Sequence, residues 1–273
     1  MKRWTRIASW LLFASVMYLI LTEAVWKWVH LPQLGDVGFT LVFVTFALAH
    51  CAAMEGWSRT GLFFAVSAVV SYLMEAVGVQ TGLIYGQYHY GDMLGPKLGP
   101  VPVIIPLAWF MMIYPSWMVA RAMLNGVNTS TLPGITALAV VAAFVMTGWD
   151  MVMDPGMAAS GNWIWEKGGA YFGVPRHNYL GWLLTTFLVY WIAGWLWRAA
   201  KPQAPATRLF AALPIIVYAF FAVRYVTGSW TPPLQVIALF SMVVPSLAAG
   251  IQLCLNRNSP DNPPGQIPSS LRP

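Results

Sequence analysis

The stretch Pro133-Gly-Ile-Thr-Ala-Leu-Ala-Val-Val-Ala-Ala-Phe-Val-Met-Thr-Gly-Trp-Asp-Met-Val-Met153 carries a single charged side chain, Asp150. A helix rises about 1.5 Å per residue, so roughly 20 apolar residues cross a hydrocarbon layer of about 30 Å. This run is long enough to cross, and working outward from it finds seven more, near 7–29, 37–54, 61–79, 101–124, 178–198, 208–227 and 233–255. Composition agrees. Charged residues are 9% of the 273-residue chain and hydrophobic residues 58%, whereas a soluble domain carries about a quarter charged residues to cover its surface. A soluble globular enzyme is excluded on this count.

The net charge of +6 comes from 15 basic and 9 acidic residues scattered among apolar runs, with no basic patch of the kind that binds nucleic acid. The positive charge reads instead as topology. With eight spans both termini lie on one side. Lys2, Arg3, Arg6, Arg59, Arg121, Arg198, Lys201, Arg208, Arg257 and Arg272 fall there, against Lys27, Lys97, Lys167 and Arg176 on the other side. The excess places both termini in the cytoplasm. The first run has the basic start of a signal peptide but is too long and lacks a small-residue cleavage site, so it reads as the first span. The expected fold is an all-α, polytopic membrane helix bundle of about eight transmembrane helices. Residues 1–255 form its transmembrane helical domain, and 256–273 a Pro-rich, disordered cytoplasmic tail. An integral, multi-pass protein of a bacterial inner (plasma) membrane is expected. Cys51 and Cys254 lie near cytoplasmic helix ends with no CxxC spacing, so neither a disulfide nor a metal motif is expected.

Two outer connections stand apart. Residues 80–100 contain TGLIYGQYHYGDMLGPKLGP, and residues 154–177 read DPGMAASGNWIWEKGGAYFGVPRH. Isolated Trp and Tyr residues commonly mark an interfacial belt. Their density here points further, to aromatic rings at the mouth of a buried cavity. The fourth span carries Pro102, Pro106 and Pro115 around Trp109 and Tyr114, which reads as a kinked helix that could line such a pocket.

Ionisable residues within spans are costly and are functional candidates by default. Glu75 and Asp150 each lie about four residues from the outer ends of their spans, roughly 6 Å at the helical rise. Both sit at one expected level. Glu23 and Arg224 share this outer layer, and Asp154 is expected to cap the fifth span before Pro155. Asp150 and Asp154, four apart, share a helix face; two such carboxyls in a low-dielectric pocket cannot both ionise cheaply, so one keeps a proton and is a general acid. Arg224 can neutralise one of these acids or snorkel to the surface. His50 and Glu55, near the inner end of the second span, read as packing residues, while His89 and His177 lie in the outer loops, where they could hold water. No metal, haem, nucleotide or serine-hydrolase motif is present, so no cofactor is expected.

Acid and base groups in a greasy, aromatic-lined pocket suit protonation of an isolated alkene, stabilisation of a tertiary carbocation and capture of that cation by water. Trp149, Trp163, Trp165, Tyr85, Tyr88, Tyr171 and Phe172 can present electron-rich faces to the cation. A substrate that dwells in the bilayer, such as a polyene or prenyl chain, fits the location.

At these residues the sequence resembles a known family. Glu75-Ala-Val-Gly-Val-Gln-Thr-Gly82, Tyr85-Gly-Gln-Tyr88, Leu94-Gly-Pro96, Val101-Pro102 to Trp109, Trp149-Asp-Met-Val-Met-Asp-Pro155, Gly161-Asn-Trp-Ile-Trp165 and Tyr171-Phe-Gly-Val-Pro-Arg-His-Asn178 are similar to the CruF-type carotenoid 1,2-hydratases. The resemblance covers about residues 60–185 densely. It implies cofactor-free addition of water across the terminal double bond of an acyclic ψ-end carotenoid, giving a tertiary hydroxyl. The implied partners are lycopene, γ-carotene or a similar polyene, membrane lipid and other carotenoid-pathway enzymes. The resemblance assigns no residue roles.

From the residues themselves, Asp150 with Asp154 is expected to protonate the alkene and Glu75 to orient the water and take its proton. Arg224 or His89 would tune these charges, and Tyr85, Tyr88, His89, Trp109, Trp149, Trp163, Trp165, Tyr171, Phe172, Asn178 and Arg224 would contact substrate. Two other classes compete. Asp150-x-x-x-Asp154 matches one diphosphate-binding element of a membrane prenyltransferase, but the second acidic cluster that such enzymes need for Mg²⁺ is missing. A lipid or isoprenoid transporter would suit broken helices, but would place its charges nearer the midplane.

Overall fold

A computed structural model describes residues 2–25, 29–198, 207–228 and 230–255. Lys27, Lys201, Arg257 and Arg272 lie outside the described residues, as does the expected tail at 256–273. The helices are α1 (Lys2–Ala24), α2 (Asp36–Glu55), α3 (Trp57–Thr81), α4 (Ile104–Met123), α5 (Leu132–Ala159), α6 (Arg176–Trp197) and α7 (Arg208–Thr227). A last span combines α8 (Pro232–Ala238) and α9 (Val244–Leu255) through a π-helical turn at Leu239–Val243. Eight helical spans are long and apolar enough to cross a membrane, as the sequence reading expects.

Helix α4 sits at the centre, packed against α2, α3, α5, α7 and α9. Its core positions run almost unbroken from Trp109 to Ala120, whereas the last span turns Phe240 and Leu247 outward. An outward apolar face is what lipid covers.

The main departure from expectation is the length of α5. The helix does not stop at Asp154 but runs through Pro155 to Ala159, so Asp154 is an interior residue and not a cap. Pro155 has no N–H, and a proline in a helix frees the carbonyl four residues back. Here that carbonyl belongs to Met151, and the Tyr171 hydroxyl donates to it at 2.8 Å. The same substitution of donors occurs at Pro214 in α7. His50 Nε2 donates to the freed carbonyl of Phe210 at 2.7 Å, and the Tyr114 hydroxyl donates to His50 Nδ1 at 2.7 Å. His50 is therefore a fully satisfied packing residue. Glu55 is likewise occupied, by Arg59 at 3.0 Å and Arg121 at 2.7 Å.

The two aromatic connections fold onto each other. Strand β1 (Tyr88–Tyr90) pairs antiparallel with β4 (Trp163–Trp165), setting Tyr88 opposite Trp165 and Tyr90 opposite Trp163. Between them in sequence, β2 (Lys97–Leu98) and β3 (Val101–Pro102) form a short hairpin that leads into α4. The β1–β4 ribbon closes one end of the bundle.

Tyr85 anchors this cap to the helices. Its ring lies between Gly78 of α3 and Gly181 of α6, where an added Cβ would come within 2.6 Å and 2.5 Å of the ring. Its hydroxyl pairs with Thr185 Oγ1 at 2.8 Å. Only glycine permits this approach. Gly181→Ala is expected to cost about 1–3 kcal/mol through overpacking, read as a lower melting temperature in detergent. Gly250→Ala, where an added Cβ meets nothing within 4 Å, is expected to be neutral or stabilising by up to about 1 kcal/mol.

Candidate active site

Under the ribbon lies a cavity of about 80 Å³, room for more than one water molecule. Strand alternation explains its roof. In β1, Tyr88 and Tyr90 point inward and are buried, while His89 between them points out. Trp163 and Trp165 of β4 lie opposite the two tyrosines and also line the cavity. The far wall is Trp109 of α4 stacked on Trp182 of α6, with ring centroids 4.1 Å apart and planes 16° from parallel. Met111 and Met112 from α4 and Met153 and Met157 from α5 fill the remainder with adaptable apolar groups.

The acids enter from two helices. Glu75 of α3 is 4% exposed. Its Oε2 accepts hydrogen bonds from the hydroxyls of Tyr88 and of Tyr90, the latter at 2.8 Å, and its Oε1 accepts from Trp109 Nε1 at 3.0 Å. Asp154 of α5 accepts from Trp163 Nε1 at 2.5 Å and from Asn178 Nδ2 at 2.7 Å. The same Asn178 nitrogen lies 3.3 Å from Asp150 Oδ2. One amide thus bridges the two carboxyls that share a face of α5. Asp150 Oδ1 is buried with no hydrogen-bond partner among the described residues. Glu75, Asp154 and Asn178 line the cavity, and Asp150 lies behind, one helical turn deeper.

Burial pushes the Tyr88 and Tyr90 hydroxyls well above the ordinary tyrosine range, and the negative charge of Glu75 adds to it. They stay protonated donors to Glu75 through neutral pH.

Of the residues expected to contact substrate, the structure gathers Tyr85, Tyr88, Trp109, Trp163, Trp165 and Asn178 at the cavity. It places five others elsewhere. His89 points outward and pairs with Glu166 at 2.5 Å, both about half exposed. Trp149 packs one turn deeper, among Phe43, Tyr218 and Phe221. Tyr171 is committed to the Met151 carbonyl. Phe172 is 40% exposed at a left-handed φ of 48°. Arg224 pairs with Glu23 at 2.6 Å and does not contact Asp150 or Glu75. Tyr90 and Trp182 also line the cavity, although neither is among the residues expected there. Period-two alternation in Tyr88-His-Tyr90 was the available signal for Tyr90, whereas nothing local in sequence marks Trp182 as the partner of Trp109.

Among the described residues no three of His, Cys, Asp or Glu are grouped to hold a metal ion. The polar atoms in the cavity wall are carboxyl, phenol, indole and amide, a set suited to proton transfer beside an apolar guest.

The model of the carotenoid biosynthesis protein family matches residues 35–245. The chain belongs to that family. This member of the carotenoid biosynthesis protein family is 38% identical over 128 residues to a bisanhydrobacterioruberin hydratase of Haloarcula japonica. The aligned segment is 46% of the chain and 42% of that hydratase, so the chain spans well under two thirds of its relative. No solved structure matches.

The tyrosine donors give a pH-dependent prediction for this family member. Folded Tyr88 and Tyr90 hold their protons more tightly than in the unfolded chain, so their stabilisation is complete below about pH 10, the unfolded value, and is lost as pH rises above it. The melting temperature is expected to fall from pH 9 to 11. The Tyr88→Phe/Tyr90→Phe double variant, with Glu75 Oε2 left without a donor, is expected to be about 1–3 kcal/mol less stable at pH 7 and to lose part of that alkaline dependence.

Proposed function

We propose that the protein adds water across the terminal double bond of an acyclic ψ-end carotenoid, such as lycopene or γ-carotene, to give a tertiary hydroxyl. The observation that carries this reading is the meeting of Glu75 and Asp154 on one apolar cavity roofed and walled by Tyr and Trp rings. Membership of a carotenoid biosynthesis family and similarity to a protein named as a hydratase support it.

The geometry suggests how the labour is divided. Asp150 and Asp154 reach the same amide nitrogen, and two like charges so close at membrane depth are costly. One proton is held by the pair. Asp154, which faces the cavity, delivers it to the CH carbon of the terminal double bond, and a new C–H bond forms at the expense of that double bond. Positive charge then develops on the adjacent tertiary carbon. The faces of Trp163, Trp165, Tyr88 and the Trp109–Trp182 stack offer it cation–π stabilisation. A water attacks that carbon and Glu75 takes the released proton. Glu75 is suited to the base role because phenol and indole donors already orient both its oxygens. Its proton returns to the Asp pair before the next turnover. The work is done at the non-cytoplasmic face of a bacterial plasma membrane, and carotenoid-pathway enzymes supply the polyene.

General acid and base groups typically contribute about 10²–10⁴-fold to rate. Asp154→Asn and Glu75→Gln are therefore expected to lower hydration by that factor, and Asp150→Asn by less. The measurement is pigment analysis of a lycopene-accumulating bacterial host, where the wild-type chain yields a more polar pigment heavier by one water with an unchanged chromophore. Full conversion by both Asp154→Asn and Glu75→Gln at normal protein levels would overturn these roles, and a product heavier by an isoprene unit would indicate a prenyltransferase.

A further inference from the structure

Capture of a cation requires a water molecule in a cavity whose walls are mostly apolar, and apolar cavities stay dry unless two to four polar groups hold the water. Most polar atoms at this cavity are already committed: Glu75 accepts from three donors and Asp154 from two. Two side chains differ: Trp165, whose Nε1 is buried without a partner among the described residues, and Thr40. Thr40 of α2 lines the cavity and is 6% exposed. A threonine inside a helix ordinarily turns its hydroxyl back to the carbonyl four residues earlier. Thr45, Thr60, Thr81, Thr186 and Thr227 do so here. No such bond, nor any other among the described residues, engages the hydroxyl of Thr40. It can both donate and accept toward the cavity.

A polar track leads from Thr40 to the surface. Asp36, one turn before Thr40 on the same helix face, also lines the cavity and is exposed at the end of the bundle that carries the β1–β4 ribbon. Asn162, wholly buried at the edge of the ribbon, donates from Nδ2 to Asp36 Oδ2 at 3.1 Å, and its Oδ1 is buried without a partner among the described residues. Ile104, Ile105, Ala108 and Met111 of α4, which also line the cavity, offer water no polar side chain.

We infer that Asp36, Asn162 and Thr40 form the route by which water enters the cavity, and that Thr40 positions the water that captures the cation. This rests on the hydration reading above and adds residues that it does not use. Chemistry supplies a readout that a purely structural role would not move. A cation that meets water gains a C–O bond, with the proton passing to Glu75. A cation that does not meet water breaks an adjacent C–H bond, the electron pair restores a C=C bond, and the proton returns to a carboxylate. In D₂O the second path leaves deuterium in the recovered polyene.

The test uses membranes containing the full chain, supplied with lycopene in D₂O, with alcohol formed and deuterium in recovered lycopene measured by mass spectrometry. Thr40→Val is expected to lower alcohol formation about tenfold, the effect of one lost hydrogen bond to the water, and to raise the ratio of deuterium exchange to alcohol by a similar factor. Thr40→Ser, which keeps the hydroxyl, is expected to stay within about twofold of wild type on both readings. Asp36→Asn, an isosteric change at the exposed mouth, should shift the ratio in the same direction and keeps the test open if Thr40→Val fails to accumulate. A wild-type ratio in Thr40→Val, or an equal fall in both readings, would overturn the inference. Absence of alcohol from the wild-type chain would instead remove the hydration reading on which it stands.

Discussion

Carboxyl groups buried at membrane depth need hydrogen-bond donors, and this requirement organises much of the molecule. An unpaired polar group in an apolar setting costs several kcal/mol, and the neighbouring apolar helix faces supply few donors. Glu75 obtains its donors from Tyr88 and Tyr90 in one connection and from Trp109 at the start of α4. Asp154 obtains one from Trp163 in the other connection. Both connections must therefore fold down over the helix ends. Pairing them as β1 and β4 does this, because strand alternation sends Tyr88, Tyr90, Trp163 and Trp165 to the face that looks into the bundle. The same aromatic side chains thus satisfy the acids with their polar edges and wall the cavity with their rings.

Pro155 and Pro214 obey a related rule. Each proline inside a helix frees a carbonyl, and a freed carbonyl in a low-dielectric interior must find another donor. Tyr171 provides it at Met151 and His50 provides it at Phe210. At Met151 the donor is a residue that sequence alone marks as a candidate for chemistry, and at Phe210 it is a residue read as packing; both repair a backbone. For α5 the repair has a consequence for the cavity. The helix continues past Pro155, which keeps Asp150, Met153, Asp154 and Met157 on one rigid element.

Much of this was legible in the sequence. Span length and low charge are one-dimensional properties, so the eight spans were found with ends shifted by only a few residues. Charge burial is nearly so, which is why Glu75, Asp150 and Asp154 could be singled out. Four features could not be read. Pairing of β1 with β4 is a contact between distant segments of three residues each, too short for a strand signal to stand out. The direction of a side chain around a helix or along a short strand separates Trp163 from Trp149, and His89 from Tyr90, yet in sequence all four stand alike as ring-bearing residues in or next to the two outer connections. The continuation of α5 depended on a tyrosine sixteen residues beyond Pro155 in sequence. Arg224 lies at the expected level but is held by Glu23 on α1, a partner choice set by which helices are neighbours.

A cavity of this make-up brings carboxyl groups and electron-rich rings together, the combination that the proposed hydration of a polyene would use. In that proposed reaction the oxygen atom of the alcohol comes from water. Purified protein in detergent, supplied with lycopene in ¹⁸O-labelled water and air without added cofactor, should give an alcohol whose oxygen is labelled at the enrichment of the solvent. Unlabelled oxygen in the product, or no alcohol from protein of verified fold, would contradict the account.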